Sequence, residues 1–348
     1  MGSRRFTNGV NGDFAMSQRF KTVSLQIAKW LLFAVVLAYV ARKAGELWQP
    51  DDFQRLEIRP LWLLAAAVIY VVGWLPCVWF WQRVLRMLGA DPPFLLTLQA
   101  YYCGHLGKYV PGKAAALVIR SAMLKLAHVP VGVSAVSATL ETLGVMGVGL
   151  AIALALAPFT LPAAAWQRLP EWLAPLQEQQ WLGPGLVAVS VLIVVPLVSL
   201  GLVKIAARAS WQIALLKSDT AALAASVPEA RIGDVTKLLL IGTVAFIPTW
   251  VLHGLSLGCV LHAIGAGDVT DSSQWLLWIG VIGAGNSLGF FVLFAPGGLG
   301  VREGILIATL EPVVGGPAAV AAAALLRIVW LAAEVVTAGL SVARRSAS

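Results

Sequence analysis

Gly107-Lys108-Tyr109-Val110-Pro111-Gly112-Lys113 and Pro296-Gly297-Gly298-Leu299-Gly300-Val301-Arg302-Glu303-Gly304 put charged side chains beside Gly/Pro breaks in an otherwise apolar chain. Cations next to freed backbone N–H groups are the chemistry of anion capture, because a helix N-terminus carries partial positive charge and unpaired donors. A helix is expected from Lys113 to Leu126, and a second one opens behind Gly297, Gly298 and Gly300 with Arg302 and Glu303 in its first turn. Glu141, Arg327 and Glu334 add charge inside the spans, where each costs about 2.5–3.5 kcal/mol on insertion scales and so must face a partner or a wet cavity. Arg327 and Glu334, seven apart, share one helix face. The bases Lys108, Lys113, Arg120, Arg302 and Arg327 outnumber the acids Glu141, Glu303 and Glu334, a balance that suits a phosphate-bearing ligand. Two plainer readings stand beside this one: the glycines serve close helix packing, as in Gly254-x-x-x-Gly258 and Gly285-x-x-x-Gly289, and the charges staple helices together. The candidate binding residues are Lys108, Tyr109, Pro111, Gly112, Lys113, Arg120, Glu141, Pro296, Gly297, Gly298, Gly300, Arg302, Glu303 and Arg327.

Gly107 to Ala114 matches a nucleotide-binding phosphate loop except that Ala114 replaces the Ser or Thr that holds magnesium. That loop needs a preceding strand and a soluble βαβ frame, and here it follows the apolar piece Phe94–Cys103 in a chain with no room for such a frame. His105, His128, His253 and His262 show no ligand spacing, and Cys77, Cys103 and Cys259 form no CxxC pair. Neither a metal site nor a cofactor is expected, and the cysteines read as packing residues.

The elements that must hold these residues are membrane helices. The 348 residues are 59% hydrophobic and 12% charged, about half the charge of a soluble domain. Apolar runs close to the roughly 20 residues that cross the hydrocarbon occur at Val23–Ala41, Leu61–Trp81, Val131–Pro158, Leu182–Val203, Leu238–Ile264, Trp275–Ala295 and Ala318–Val342. The net charge of +8 is scattered among membrane loops rather than gathered on one soluble face, so nucleic acid is not an expected partner. Trp74, Trp79 and Trp81 read as lipid-facing or packing side chains.

Basic residues before the first run (Arg4, Arg5, Arg19, Lys21) and at Arg344-Arg345 place both termini in the cytoplasm. The base-poor connections Phe159–Trp181 and Gly265–Ser273 fall outside, although Arg42, Lys43, Arg55 and Arg59 depart from the rule. The signs reconcile if the stretches around both breaks are hairpins that enter the membrane and return to their own side, Phe94–Lys125 opening inward and Trp275–Leu310 outward. The expected fold is therefore an all-α polytopic integral membrane protein of about six full spans plus two re-entrant helical hairpins. Its divisions are a disordered N-terminus (residues 1–22), one transmembrane domain (23–342) whose halves 23–158 and 182–342 form an inverted repeat, and a cytoplasmic tail (343–348). Trp166, Trp172 and Trp181 read as an outer aromatic belt and Lys204–Lys217 as an inner interfacial helix.

The combination of Gly107–Lys113, Arg120, Glu141, Pro296–Gly304 and Arg327 resembles the lysylphosphatidylglycerol synthase transmembrane family of flippase-like proteins, over about Val23–Val342. The resemblance implies two re-entrant elements at the centre of a helix bundle and movement of lipids or lipid-linked precursors across the cytoplasmic membrane. Where the family often has Arg beside the glutamate, this chain has Thr142. Synthase members carry a soluble aminoacyl-transfer domain, and none follows before Ser348, so synthase activity is not expected to carry over. Two readings compete. One is a non-enzymatic translocator of an anionic phospholipid or polyprenyl phosphate precursor. The other is a lipid-phosphate-binding accessory protein or membrane enzyme beside a glycosyltransferase, and an ordinary small-solute carrier ranks behind both. Expected partners are anionic membrane lipid and, beyond it, a second copy of the chain or a glycosyltransferase. No nucleophile with a base stands at catalytic spacing.

Overall fold

The computed structural model describes Arg42, residues 58–109, 114–160, Gly185, Val189, Ile193, and residues 232–292 and 298–346. The expected N-terminal tail, first span, aromatic belt and interfacial helix lie outside these residues, as does nearly all of the run Leu182–Val203. Every regular element among the described residues is helical. In chain order they are α1 (Pro60–Gly73), α2 (Leu75–Met87), α3 (Phe94–Leu106), α4 (Ala114–Leu124), α5 (Val131–Ala155), the single turn α6 (Ala157–Thr160), α7 (Ile232–Ala263), α8 (Trp275–Phe291), α9 (Val301–Val314) and α10 (Gly316–Ser346).

Among the described residues, four stretches are long and apolar enough to cross a membrane: α1 with α2 (Pro60–Met87), α5 (Val131–Ala155), Leu240–Ala263 of α7 and Gly316–Arg344 of α10. The chain is a multi-pass membrane protein of helical class. Outward faces carry apolar stripes at helical spacing, Leu61, Leu64, Val68, Val72 and Leu75 on α1–α2 and Ile328, Leu331, Val335 and Val342 on α10. Charge goes inward: Arg120, Glu141, Arg302 and Glu334 are all buried.

α3 with α4, and α8 with α9, are pairs of short helices joined across a break. Their 13, 11, 17 and 14 residues correspond at 1.5 Å per residue to ~16–26 Å, less than the ~30 Å hydrocarbon thickness. The short arms follow from chemistry. A three-residue 3-10 turn at Gly107–Tyr109 ends the first arm, and Gly298 and Gly300 take positive φ (69° and 83°) ahead of α9, a conformation that L side chains resist.

A third break falls inside the first described span. α1 stops at Gly73, Trp74 lies between the helices, and Pro76 sits in the first turn of α2, where its missing N–H costs nothing. The carbonyl of Val71, close to this break, accepts the Tyr102 hydroxyl at 2.7 Å. α7 likewise carries a proline, Pro248, inside the helix.

The two halves pack by one pattern. α5 packs on α8 as α10 packs on α3, α7 on α5 as α1 on α10, α4 on α5 as α9 on α10, and α1 lies along α7. Where α2 meets α7, the Cys77 Sγ is 3.4 Å from the Thr249 Oγ1, each one residue after its helix proline. Gly254 and Gly258 face Ile279 and Trp278 of α8 closely, the packing role expected of them.

Candidate functional site

Between the two broken helix pairs lies a cavity of about 370 Å³. Its walls combine Arg302, Asn286 and Gly298 from the second pair, Tyr101, His105, Lys108 and Arg120 from the first, Glu141 from α5, Tyr70 and Trp74 from the first span, and Trp330 from α10.

Arg120 reaches the cavity because Gly104 leaves room for its stem; a Cβ there would lie 2.6 Å from the Arg120 Cγ. Arg120 Nη1 donates to Glu141 Oε2 at 2.8 Å, and the Tyr101 hydroxyl donates to Glu141 Oε1, also at 2.8 Å. The Thr142 hydroxyl adds a longer contact to Oε2 at 3.3 Å. The cation for Glu141 thus arrives from α4 rather than from the neighbouring position, which holds Thr142. The guanidinium also stacks over Tyr101, 4.1 Å from the ring centre.

A second pair forms where Lys108 Nζ donates to Glu334 Oε1, which accepts the Tyr70 hydroxyl as well. Both donors use one oxygen, and Glu334 Oε2 is buried without a hydrogen-bond partner. Tyr70 is fixed by stacking on Trp330, with ring centres 4.3 Å apart.

The third cluster is at the start of α9. Glu303 Oε2 accepts the Gly300 N–H at 2.8 Å, capping the helix, while Oε1 accepts from Arg327 Nη1 at 3.3 Å. Tyr109 lies under both Arg327 and Lys108, 5.0 and 5.2 Å from its ring centre. Arg302 is different. Its Nη2 lies 3.5 Å from Glu303 Oε1 and its Nη1 3.5 Å from Asn286 Oδ1. Nε and Nη2 have no hydrogen-bond partner although the residue is 5% exposed. Buried donors left open in this way invite an acceptor, since each unmade bond costs ~1–3 kcal/mol.

Of the sequence-predicted residues, Lys108, Arg120, Glu141, Gly298 and Arg302 line the cavity, and Tyr109, Gly300, Glu303 and Arg327 form the adjoining cluster. Pro111, Gly112, Lys113, Pro296 and Gly297 lie outside the described residues. Sequence reasoning missed Tyr70, Trp74, Tyr101, His105, Asn286 and Trp330. Trp81 and Trp74 both pack, as expected, Trp81 against Ser137 and Trp74 against Tyr70 and His105 on the cavity wall. The signal available for Tyr70 and Asn286 was their polarity within apolar runs. Gly285 and Gly289 pack close to Arg302, and Gly289 also approaches Gly298.

No curated protein matched the chain in a sequence comparison. The family description "Lysylphosphatidylglycerol synthase TM region" matches residues 22–336, nearly the whole chain. Together with the membrane-grade helices that enclose this charged cavity, the match identifies the chain as a member of the lysylphosphatidylglycerol synthase transmembrane-region family, a multi-pass membrane protein with a lipid-related role.

Proposed function

We propose that the protein translocates a lipid with an anionic head group, a phospholipid or a polyprenyl phosphate precursor, across the cytoplasmic membrane. The observation that carries this reading is Arg302, a buried cation on the cavity wall whose Nε and Nη2 donors stand open. A phosphate oxygen satisfies such donors through charge-assisted hydrogen bonds. Lys108 and Arg120 on the same wall reinforce the preference for an anion.

Transport rather than static binding draws support from the matched packing of the two halves. That pattern favours an inverted repeat with each broken helix pair as a re-entrant hairpin, the arrangement in which a central site is exposed to alternate sides by rocking one half against the other. Charge bias in the loops favours cytoplasmic termini. The acids Glu141, Glu303 and Glu334 each hold a cation, which suits a carrier better than a catalyst.

The test is a proteoliposome assay with head-group-labelled phosphatidylglycerol and, separately, a labelled polyprenyl phosphate. The protein should speed the label's appearance in the opposite leaflet, and Arg302→Gln should slow it. If neither lipid crosses faster than in empty liposomes, with or without ion gradients, while Arg302-dependent binding persists, the protein is an accessory lipid binder.

A further inference from the structure

One buried carboxylate, Glu141, lines the cavity and a second, Glu334, lies behind the Lys108 and Tyr70 of its wall, and they are held in different ways. Glu141 is saturated, its two oxygens accepting from Tyr101, Arg120 and Thr142. Glu334 takes both its donors, Tyr70 and Lys108, on Oε1, and Oε2 is bare. Its cation is also the less secure. Arg120 is 7% exposed, but the Lys108 side chain is 29% exposed and lines the cavity, while Glu334 lies 2% exposed behind it.

Resting on the anionic-lipid reading above, we infer that Glu334 is a proton-binding site coupled to head-group binding: the phosphate draws Lys108 away, and Glu334 takes up a proton in exchange. Lys108 stays protonated and pairs with the phosphate. A proton from water enters on Glu334 Oε2, the oxygen with no donor, and Tyr70 keeps its bond to Oε1. The driving force is the cost of leaving a carboxylate without its cation in a dry interior, which exceeds the cost of protonating it.

The groups around Glu334 can hold that state. Tyr70 comes from α1, His105, Lys108 and Tyr109 from α3 and the turn after it, His253 from α7, Arg302 and Glu303 from α9, and Arg327 from α10 itself. Arg327 is engaged with Glu303 and sits over Tyr109, and His253 Nε2 lies 3.3 Å from the Tyr70 carbonyl. Neither is a ready substitute for Lys108. A lipid that carries a proton with it is driven by a pH gradient, which gives the translocator an energy source.

Isothermal titration calorimetry of the purified protein decides this, with dihexanoyl phosphatidylglycerol as probe because its phosphodiester does not titrate near neutral pH. The binding heat is compared at pH 7 in buffers of small and large ionisation enthalpy, such as Pipes and Tris. Wild type should show a slope approaching one proton taken up per lipid. Glu334→Gln should bind the lipid with no buffer dependence. Lys108→Gln, whose Glu334 is already without its cation, should bind more weakly and also lose the uptake. Buffer-independent heat in the wild type, or uptake that persists in either variant, overturns the proton site and leaves the lipid reading intact. Absence of binding in every buffer removes the lipid reading and this inference with it.

Discussion

The two broken helix pairs are built alike and charged differently. In the first, Arg120 lies in the second arm, α4, and is locked to Glu141 and Tyr101, and Lys108 is engaged with Glu334. In the second, Glu303 spends its oxygens on Arg327 and on capping α9, so that Arg302 keeps two open donors. The difference teaches where structure ends and binding begins. A buried carboxylate with both oxygens bonded, as in Glu141, ties its helices together, whereas a buried cation with two donors unmade, as in Arg302, is the better candidate to hold a ligand.

The largest effect should come from breaking the Arg120–Glu141 pair. Glu141→Gln strands the Arg120 charge in the interior and should cost ~3–5 kcal/mol of stability, read as lost folded yield and a lower melting temperature in detergent. Replacing both partners, Glu141→Gln with Arg120→Met, should recover much of that loss. If the single variant melted like wild type, Glu141 and Arg120 would not be the staple described.

Arg302→Gln is the opposite case. It should weaken binding of phosphatidylglycerol by roughly 10- to 100-fold, the worth of a ~1.5–3 kcal/mol charge-assisted hydrogen bond, with little change in melting temperature. A fall in stability as large as that of Glu141→Gln would erase the contrast between the two pairs.

The backbone of the second break supplies a smaller effect. Gly298, at φ 69° and 3.3 Å from Gly289 for an added Cβ, should lose ~1–2 kcal/mol on change to Ala, with a matching loss of lipid affinity because Arg302 moves with it. Unaltered melting would show that this turn relaxes freely.

Much of this architecture was legible in the sequence, because apolar runs and intramembrane charge are both strong signals. Both breaks, and Glu141, Arg302 and Arg327, announced themselves as charge where the solvent is hydrocarbon. Their pairings did not: Lys108 and Glu334 are 226 residues apart, and only the tertiary packing of α10 on α3 brings them together. The break at Trp74 was hidden because Gly73, Trp74, Leu75 and Pro76 read as one apolar run. α2 also extends past Trp81 to Met87, since polar side chains can continue a helix beyond the apolar stretch; Arg83 does so while lying over Trp79.

The smallest effect lies outside the spans, at the turn between α2 and α3. Asp91 accepts from Arg86 at 2.7 Å and from Gln82 at 3.1 Å, and the Arg86 bond is the main reason its carboxyl is lowered from the ordinary value of 3.8. A lowered folded value means that the contribution is present above the ordinary value and fades as pH falls through the folded one. Asp91→Asn should therefore melt slightly below wild type near neutral pH and converge with it in strong acid. A gap that grows on acidification would contradict that sign.

The central claim, an anionic head group held by the open donors of Arg302, is met most directly by native mass spectrometry in equimolar phosphatidylglycerol and phosphatidylcholine. Wild type should retain phosphatidylglycerol preferentially, and Arg302→Gln should lose the preference while Arg327→Gln, whose cation serves Glu303, keeps most of it. Equal retention of both lipids by the wild type, or an undiminished preference in Arg302→Gln, would contradict the account.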